Sequence, residues 1–505
     1  MIECEDHFLG NVRTVTAQTS IATTSMTTMP RVAQHLIGGE LVPARGSREL
    51  PTTNPANGEP GAVLVPATDE EVHAAVAAAD SARALWRRTP PPDRADALRA
   101  AARAIRADVD HLAAVLCAST GRLIAEARSS AEVAADLLDE AAVSGLLDAG
   151  RSLAGDPAAV DLVRREPRGV VAVLTPWNDP YPATAGLLAA ALVMGNTVVH
   201  KPSERCPAPG WELGSRIARC LPDGVLNVLT GDGAVGAAVV ADERVQVAAQ
   251  VGSTATGRDI AATVGARGGR VLLENGGKDP LLVDVGVDAR WAAQQIATGA
   301  FTNAGQLCTS VERIYLHSDI SDAVLGELIA IAERMVVGDP ADPASELGPL
   351  VDERQLRVVA EQVDAAVAAG AHCLTGGARL DRPGSWYPPT VLTGCTPEMD
   401  LLTKETFGPV AAVTVVADFD EALQLASAGV YGLAATVLTP RMDHAARAVQ
   451  ELEVGTVKVN AVFGGAPGGS ADPRRDSGSG PGFGPALLGE LSALKAVHIE
   501  PAPPG

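Results

Sequence analysis

The 505-residue chain lacks a surplus of positive charge, long apolar runs and cysteine motifs. Its formal net charge of −21 argues against nucleic acid or an anionic membrane as a partner, because both select basic surfaces. No apolar run reaches the roughly 18 residues that suggest a membrane span. The seven cysteines are scattered, with neither a CxxC pair nor a Cys/His cluster at metal-ligand spacing. We therefore expect no metal, and a reducing cytoplasm as the location.

Lysine is also scarce, and its distribution is informative. Only five of the 40 basic residues are lysines, and arginine supplies the rest. Arginine replaces lysine harmlessly at most surface sites, but not where a compact ammonium group is needed. Lys201, Lys278 and Lys404 all fall within the motifs described below, which supports those motifs independently.

The length predicts two or three domains, since one hydrophobic core rarely organises 505 residues. Residues 1–30 lack the basic start and apolar centre of a signal peptide and are expected to be a disordered tail. Thr68 and Glu71 form a capping box that predicts a helix start, and a second helix is expected from about Asp93 to Cys117. Beyond Arg168, short apolar runs alternate with helical stretches, which predicts a parallel α/β sheet. The runs are 170–174, 197–200, 225–229 and 245–249; a second α/β series covers about 276–465, and the Gly- and Pro-rich residues 468–484 are expected to be a loop.

Two stretches carry the strongest chemical signal. Cys308 ends the sequence FTNAGQLC, and Glu274 begins the glycine turn ENGGK. A thiol can attack a carbonyl carbon, and a carboxylate can later activate water against the adduct. A lone cysteine is more often an inert buried thiol, so the interpretation depends on the accompanying motifs. Four more are present: TPWNDP at 175–180, KPSE at 201–204, GSTATG at 252–257 and KETFGP at 404–409.

Taken in order, these six motifs resemble those of the aldehyde dehydrogenase superfamily, whose members oxidise aldehydes to acids with NAD(P). The resemblance covers roughly residues 36–497. It implies an α/β fold with a Rossmann-like cofactor domain, an α/β catalytic domain and a small β oligomerisation arm. The implied division assigns 31–142 and 164–275 to the cofactor domain, 276–468 to the catalytic domain, and 143–163 with 469–505 to the oligomerisation segments. The family forms dimers or tetramers, so a homodimer or homotetramer is expected.

The resemblance implies catalytic roles for three residues. Cys308 would attack the aldehyde as a thiolate to give a thiohemiacetal. The side-chain amide of Asn178 and the backbone N–H of Cys308 would stabilise the oxyanion. After hydride transfer, Glu274 would activate the water that hydrolyses the thioester. The carboxylate at position 274 distinguishes this chain from CoA-acylating relatives, which lack that base.

The resemblance also implies a site for NAD, with NADP as the alternative. Lys201 and Glu204 would contact the adenosine ribose, backbone N–H groups at 252–253 the pyrophosphate, and Glu405 the nicotinamide ribose. A carboxylate at Glu204 should repel a 2′-phosphate, which favours NAD. Residues 231–236 fit GxGxxG, but a lone match is weak, and we interpret the run chiefly as a strand-to-helix turn. The expected cofactor-binding residues are Thr175, Pro176, Trp177, Lys201, Ser203, Glu204, Gly233, Gly252, Ser253, Glu405 and Phe407.

The aldehyde substrate is expected to be uncharged and of medium or large size. Succinic semialdehyde dehydrogenases carry arginines where this chain has Gly186 and Thr302, and neither residue can bind a carboxylate strongly. Gly186 also replaces a bulky residue of many relatives, which should widen the pocket. Leu307, Thr309 and Phe463 complete the expected substrate pocket.

The chain departs from the family pattern at several positions. Asn275 follows the catalytic glutamate in place of leucine, Asp179 replaces a common phenylalanine, and residues 481–482 (PG) replace an Arg-Glu pair. Three alternatives to a hydrolytic aldehyde dehydrogenase therefore stay open. They are a non-catalytic dinucleotide-binding relative, an esterase that uses the same cysteine without cofactor, and a semialdehyde dehydrogenase with different carboxylate contacts.

Overall fold

The protein is built on two large sheets, each covered by helices on both faces. The structure is a computed structural model that describes residues 33–147, 150–465 and 469–502. The tail expected at residues 1–30 lies outside the described residues. The strands are β1 (Gln34–Ile37), β2 (Glu40–Pro43), β3 (Leu50–Thr53), β4 (Pro60–Leu64), β5 (Gly150–Ser152), β6 (Val160–Pro167), β7 (Val170–Leu174), β8 (Thr197–Lys201), β9 (Leu226–Val228), β10 (Val245–Val251), β11 (Arg270–Glu274), β12 (Asp279–Val283), β13 (Val311–His317), β14 (His372–Thr375), β15 (Thr390–Thr393), β16 (Val410–Val416), β17 (Tyr431–Gly432), β18 (Ala434–Leu438), β19 (Thr456–Val459), β20 (Arg474–Arg475), β21 (Gly478–Ser479) and β22 (Ser492–Ile499). The helices are α1 (Asp69–Arg88), α2 (Pro91–Arg106), α3 (Val109–Thr120), α4 (Ile124–Leu147), α5 (Pro180–Val193), α6 (Pro207–Ala218), α7 (Gly233–Ala241), α8 (Thr254–Gly265), α9 (Ala289–Phe301), α10 (Ser321–Arg334), α11 (Glu353–Ala368), α12 (Asp400–Thr403), α13 (Phe419–Ser427), α14 (Met442–Glu451) and α15 (Pro485–Glu490).

The first sheet confirms the predicted parallel α/β arrangement. Its strand order in the described residues is β2-β1-β9-β8-β7-β10-β11-β21, and β9, β8, β7, β10 and β11 run parallel. Val171 and Val173 of β7 pack into one hydrophobic cluster with α2 to α6, whereas Val170 and Ala172 pack into another with α1, α7 and α8. Both faces are therefore covered, which explains why the strand sequences are continuously apolar.

The second sheet is built in the same way from the later part of the chain. Its order is β14-β15-β16-β13-β12-β18-β19, and only the β14–β15 pair is antiparallel. Leu281 and Val283 of β12 face one cluster, and Leu282 faces the other. The predicted second α/β series is thus a second doubly covered sheet, beginning just after Glu274.

A three-stranded antiparallel arm lies apart from the two large sheets. It has the order β22-β6-β5, and Ser492 to Ile499 pair along the whole of β6. The arm's last strand belongs to the C-terminal segment. Part of the segment expected to be loop also forms short strands: β20 pairs with β17, and β21 pairs with β11.

The capping box at the start of α1 is confirmed, but the second predicted helix is wrong in its extent. The Glu71 N–H donates to the Thr68 hydroxyl, and the Thr68 N–H donates to the Glu71 carboxylate. The stretch expected to be one helix from Asp93 to Cys117 is two, because Asp108 leaves the helical region at φ −128° and ψ 23°. The Asp108 carboxylate pairs with Arg216 on α6. The break between α2 and α3 at Asp108 therefore coincides with a tertiary contact to α6, and helix propensity alone does not predict it.

Candidate active site

A cleft of about 700 Å³ opens at the carboxyl ends of β7, β8, β10 and β11. Ligands of open parallel sheets bind at this edge, because the loops that follow the strands converge there. Every expected cofactor residue lines the cleft together with Cys308 and Asn178: Thr175, Pro176, Trp177, Lys201, Ser203, Glu204, Gly233, Gly252, Ser253, Glu405 and Phe407. The structure thus gathers residues that are spread from Thr175 to Phe407 in the sequence.

The five expected substrate-pocket residues lie elsewhere in the described part of the chain. Gly186 lines a separate, small cleft with Phe483, and Thr302 donates its hydroxyl to Thr298 O over 2.8 Å. The Leu307 N–H donates to the Ser310 hydroxyl, next to Thr309. Phe463 lies beneath the ammonium group of Lys458, 5.4 Å from its ring centre. None of the five residues lines the cofactor cleft.

The expected nucleophile and base are in direct contact. The Cys308 thiol donates to Oε1 of Glu274 over 3.4 Å, across a sequence separation of 34 residues. Burial raises the pKa of Cys308 well above its usual value, and the nearby Glu274 charge raises it further. Burial also raises the pKa of Glu274, while the thiol hydrogen bond partly opposes that shift. Burial therefore favours the thiol form of Cys308, and a carboxyl oxygen of Glu274 lies in position to accept its proton.

An unusual backbone turn places Cys308 at the end of α9. Asn303 and Ala304 adopt left-handed conformations, with φ values of 51° and 54°. The side chain of Gln306 fixes this turn: its amide donates to Asn303 O over 3.0 Å and its oxygen accepts from Val351 N over 2.9 Å. Such conformations cost energy in non-glycine residues and persist where surrounding contacts enforce them.

Asn178 is buried beside this turn. Its side-chain amide donates to Gln306 O over 3.1 Å, so one of its N–H groups points at the segment that carries the nucleophile. Its backbone carbonyl accepts from the amide of Asn303 over 3.2 Å and from Arg122 over 3.4 Å. Asp179, which departs from the family pattern, forms a 2.7 Å ion pair with Arg122.

The glycine pair after Glu274 is required by close packing. A Cβ atom at Gly276 would lie 2.6 Å from Oε1 of Glu405, and one at Gly277 would lie 2.9 Å from the backbone oxygen of Cys308. The Gly277 N–H donates to Glu405 over 3.0 Å. The side-chain amide nitrogen of Asn275 does not donate to Glu274; it donates to Asp476 O over 3.1 Å.

A buried ion pair supports the KETFGP segment. Lys278 donates to Glu312 over 2.6 Å, and both side chains are at most 5% exposed. Glu312 in turn accepts from the backbone N–H groups of Thr406 and Phe407 over 2.8 and 2.9 Å. Burial, followed by the charge of Glu312, raises the pKa of Glu405 to about 7.

The remaining cofactor candidates are placed by neighbouring strand ends. Lys201 lies 3.3 Å from the Glu204 carboxylate and donates to Gly231 O over 3.0 Å. Ser253 caps α8 by accepting from Thr256 N over 3.4 Å. Asp232 caps α7 in the same manner, which supports the interpretation of residues 231–236 as a strand-to-helix turn.

Aromatic groups form the wall of the cleft near Cys308. Trp177 and Phe407 make an edge-to-face contact with ring centres 5.4 Å apart. Arg205 lies over the Trp177 ring at 4.3 Å and forms two hydrogen bonds with Asp352. These contacts give the cleft a rigid, partly apolar end beside the nucleophile.

Arg122 and Glu312 support the candidate catalytic segments and were missed by the sequence analysis. Their spacing in the sequence carries no local signal. Asn303 and Gln306 stand in the motif FTNAGQLC, but their contacts with Asn178, up to 128 residues away in the sequence, were not predicted. Lys278 was singled out by its position in a motif and by the scarcity of lysine.

The described residues contain neither a candidate membrane span nor a candidate metal cluster. No helix in residues 33–147, 150–465 or 469–502 is long and apolar enough to cross a membrane. Within the same ranges, no group of three or more His, Cys, Asp or Glu side chains is arranged to hold a metal ion.

Comparison with known proteins gives consistent matches along the chain. Residues 41–497 match the aldehyde dehydrogenase family. A 3,6-anhydro-alpha-L-galactose dehydrogenase of Streptomyces coelicolor is 37% identical over 460 residues, covering 90% of this chain and 93% of the relative. A succinate-semialdehyde dehydrogenase [NADP(+)] 1 of Mycobacterium ulcerans is 35% identical, covering 82% and 91%. The crystal structure of an NAD-dependent aldehyde dehydrogenase from Sinorhizobium meliloti superposes with a TM-score of 0.90 at 33% identity, covering 94% and 96%.

Proposed function

Because this chain belongs to the aldehyde dehydrogenase family, we propose that it oxidises an aldehyde to a carboxylic acid with NAD(P)+ by covalent chemistry at Cys308. The observation that carries the proposal is the contact between the Cys308 thiol and Glu274, with the amide of Asn178 beside the same turn. A silent dinucleotide-binding protein would have no need for this arrangement. We therefore favour the enzyme over the non-catalytic alternative.

The first half of the reaction forms a bond between sulfur and the substrate. Glu274 accepts the thiol proton, and its raised pKa makes it a stronger base than an exposed carboxylate. The Cys308 thiolate attacks the aldehyde carbon, and the oxygen becomes an oxyanion. Asn178 donates to that oxygen through its side-chain amide. When bound, NAD(P)+ supplies the hydride acceptor that converts the adduct to a thioester.

The second half releases the acid. Glu274 first releases the thiol proton to solvent and then accepts a proton from water while the water oxygen attacks the thioester carbon. The carbon–sulfur bond breaks, the carboxylic acid leaves, and Glu274 returns the proton taken from water to the sulfur. The same carboxylate serves both halves, because it lies within 3.4 Å of the sulfur.

The residues of the cleft fit a dinucleotide. Its volume of about 700 Å³ is within the usual range for cofactor sites, and the first turn of α8 presents backbone N–H groups to it. At Gly233 a Cβ atom would meet no other atom within 4 Å, so the backbone there borders open space. Lys201 and Glu204 would hold the adenosine ribose, and Glu405 the nicotinamide ribose. The Glu204 carboxylate favours NAD, and NADP is the alternative.

The substrate that we propose is an uncharged aldehyde of medium or large size. Gly186 and Thr302 offer no cation where semialdehyde dehydrogenases of the family have arginines. The relative from Mycobacterium ulcerans is named for a semialdehyde, which makes a carboxylate-bearing aldehyde the alternative. A kcat/KM for succinic semialdehyde far above those for neutral aldehydes would favour that alternative.

We further propose a division into domains and an assembly. Residues 31–142 and 164–275 form the cofactor domain, 276–468 the catalytic domain, and 143–163 with 469–505 the oligomerisation segments. Leu494 and Ile499 on β22 are 65% and 54% exposed, which supports burial of this strand in a homodimer or homotetramer. A cytoplasmic location would keep Cys308 reduced. Light scattering of the native protein tests the assembly, and a monomer would contradict it.

The test of the activity is an aldehyde panel with purified protein and NAD, followed by absorbance of NADH. We expect NADH formation with several neutral aldehydes and none with Cys308→Ala. Cys373→Ala is a matched control, because that thiol is exposed and distant in sequence from the motifs. Activity that survives Cys308→Ala would eliminate the mechanism. Ester hydrolysis without any NADH formation across the panel would favour the esterase alternative.

A further inference from the structure

The space beside Gly186 is occupied by an aromatic ring from the far end of the chain. A Cβ atom at Gly186 would lie 2.9 Å from Cε1 and 3.1 Å from Cδ1 of Phe483, and 3.8 Å from a methyl group of Leu137. The cleft that these residues line holds only about 30 Å³. The absence of a side chain at position 186 therefore opens little room, because Phe483 takes its place.

The loop that carries Phe483 is held against the strand of the catalytic base. Gly478 pairs with Glu274 and Ser479 with Leu273 in an antiparallel bridge between β21 and β11. The Asn275 N–H donates to Ser477 O over 2.9 Å. Consequently the position of Phe483 is fixed relative to Glu274 through the backbone.

The same loop reaches the carboxylate of the base. A Cβ atom at Gly482 would lie 2.3 Å from Oε2 of Glu274, so the backbone of the residue next to Phe483 borders the carboxylate. Oε1 of the same group accepts from the Cys308 thiol. Phe483 thus directly follows Gly482, whose backbone lies against the carboxylate that contacts the Cys308 thiol.

We propose that Phe483 is a specificity-determining residue of this enzyme. Its ring occupies the space that a side chain at position 186 would fill, and the backbone of the preceding residue, Gly482, borders the Glu274 carboxylate. Gly186 leaves the space that the Phe483 ring occupies. The size of aldehyde that the enzyme accepts therefore depends on the ring as well as on the glycine. This inference deepens the proposed function and rests on it for the identity of the substrate.

The experiment compares wild type, Phe483→Ala, Phe483→Leu and Leu491→Ala. Leu491 is buried in the adjoining hydrophobic core and does not line the small cleft, so its variant controls for general loosening. We measure the ratio of kcat/KM for a bulky aromatic aldehyde to that for acetaldehyde. We expect this ratio to rise about tenfold in Phe483→Ala, less in Phe483→Leu, and to stay near the wild-type value in Leu491→Ala.

A second readout does not depend on dehydrogenase activity. The rates of Cys308 alkylation by iodoacetamide and by N-phenylmaleimide are followed by peptide mass spectrometry. Phe483→Ala should increase the rate with the larger reagent relative to the smaller one. If wild type forms no NADH with any aldehyde, the proposed function fails, and the alkylation ratio still decides the role of Phe483.

The pairing with Gly186 is tested by a double-mutant cycle. Gly186→Ala alone should lower the melting temperature and kcat/KM, because its methyl group would meet the Phe483 ring. In the Phe483→Ala background the same substitution should be tolerated, since alanine also favours the helix over glycine. Additive effects of the two substitutions would overturn the pairing. Unchanged size ratios in Phe483→Ala, or an equal change in Leu491→Ala, would overturn the proposal.

Discussion

The Cys308 thiol donates a hydrogen bond to Oε1 of Glu274 over 3.4 Å, so the residue expected to activate water also contacts the nucleophile before any substrate binds. Two proton transfers, one from sulfur and one from water, can therefore use one carboxylate. The substitution Glu274→Gln distinguishes a carboxylate that accepts protons from both sulfur and water from one that accepts a proton from water alone. Glutamine keeps the shape of the side chain but cannot act as the base.

We predict that Glu274→Gln slows both halves of the reaction. Loss of a positioned base typically costs 10²- to 10⁴-fold in rate, and we expect kcat to fall within that range. A full pre-steady-state burst of NADH with slow turnover would instead restrict Glu274 to the water step. Glu243→Gln, at an exposed carboxylate, is the control and should change neither rate.

The amide of Asn178 should contribute to the rate and not to the fold. Removal of one oxyanion donor typically costs 10²- to 10³-fold in kcat, so Asn178→Ala should fall in that range. Its side chain donates to Gln306 O, and loss of that bond should cost only about 1 kcal/mol of unfolding free energy. Stopped-flow kinetics and denaturant titration provide the two measurements, with the exposed Asn57→Ala as control. A variant with unchanged kcat would remove Asn178 from the oxyanion site.

The sequence indicated the parts of the fold that depend on local pattern. The apolar runs that became β7, β8 and β10 were located within a few residues, because strands covered on both faces are continuously apolar. The break at Asp108 was missed, since helical spacing continues across it and the Asp108–Arg216 contact is tertiary. The pairing of β21 with the strand of Glu274 was also missed, because two residues are too few to produce a pattern.

The site shows the same limit at finer scale. Motifs located the residues that line the cofactor cleft, whereas the residues that hold them do not stand in motifs. Gln306 was quoted as part of a motif, but its two contacts with Asn303 and Val351 depend on the left-handed turn. Gly186 is the clearest case: the sequence predicted a widened pocket, and the ring that fills the space comes from Phe483, almost 300 residues away.

Binding of the cofactor should depend on pH through Glu405. The pKa of this carboxyl group is raised to about 7, so in the empty site it is increasingly protonated as the pH falls through 7. In the proposed site a ribose hydroxyl would donate to the carboxylate, so binding would favour the deprotonated form. We expect the Kd for NAD to increase as the pH is lowered from 8 to 6, as measured by quenching of protein fluorescence. In Glu405→Gln the Kd should be higher at pH 8 and nearly constant with pH; an unaltered pH dependence would contradict the assignment.

The buried pair of Lys278 and Glu312 should govern both stability and cofactor binding. Lys278→Met leaves the Glu312 charge buried without its partner, which typically costs about 3–5 kcal/mol of unfolding free energy. Glu312 also accepts from the N–H groups of Thr406 and Phe407, so the turn that carries Glu405 should lose definition and the Kd for NAD should increase.

Lys404→Met is the matched control, because it removes the same charge from an exposed pair. Lys404 and Asp400 are 67% and 54% exposed at a separation of 2.8 Å, and such pairs contribute about 1 kcal/mol or less. Denaturant titration and NAD titration of the two variants measure the difference. Equal losses of unfolding free energy in the two variants would mean that the burial of Lys278 does not determine how much its ion pair contributes to stability. A large loss of stability in Lys278→Met with an unchanged Kd would show that Glu312 supports the core but not the cofactor site.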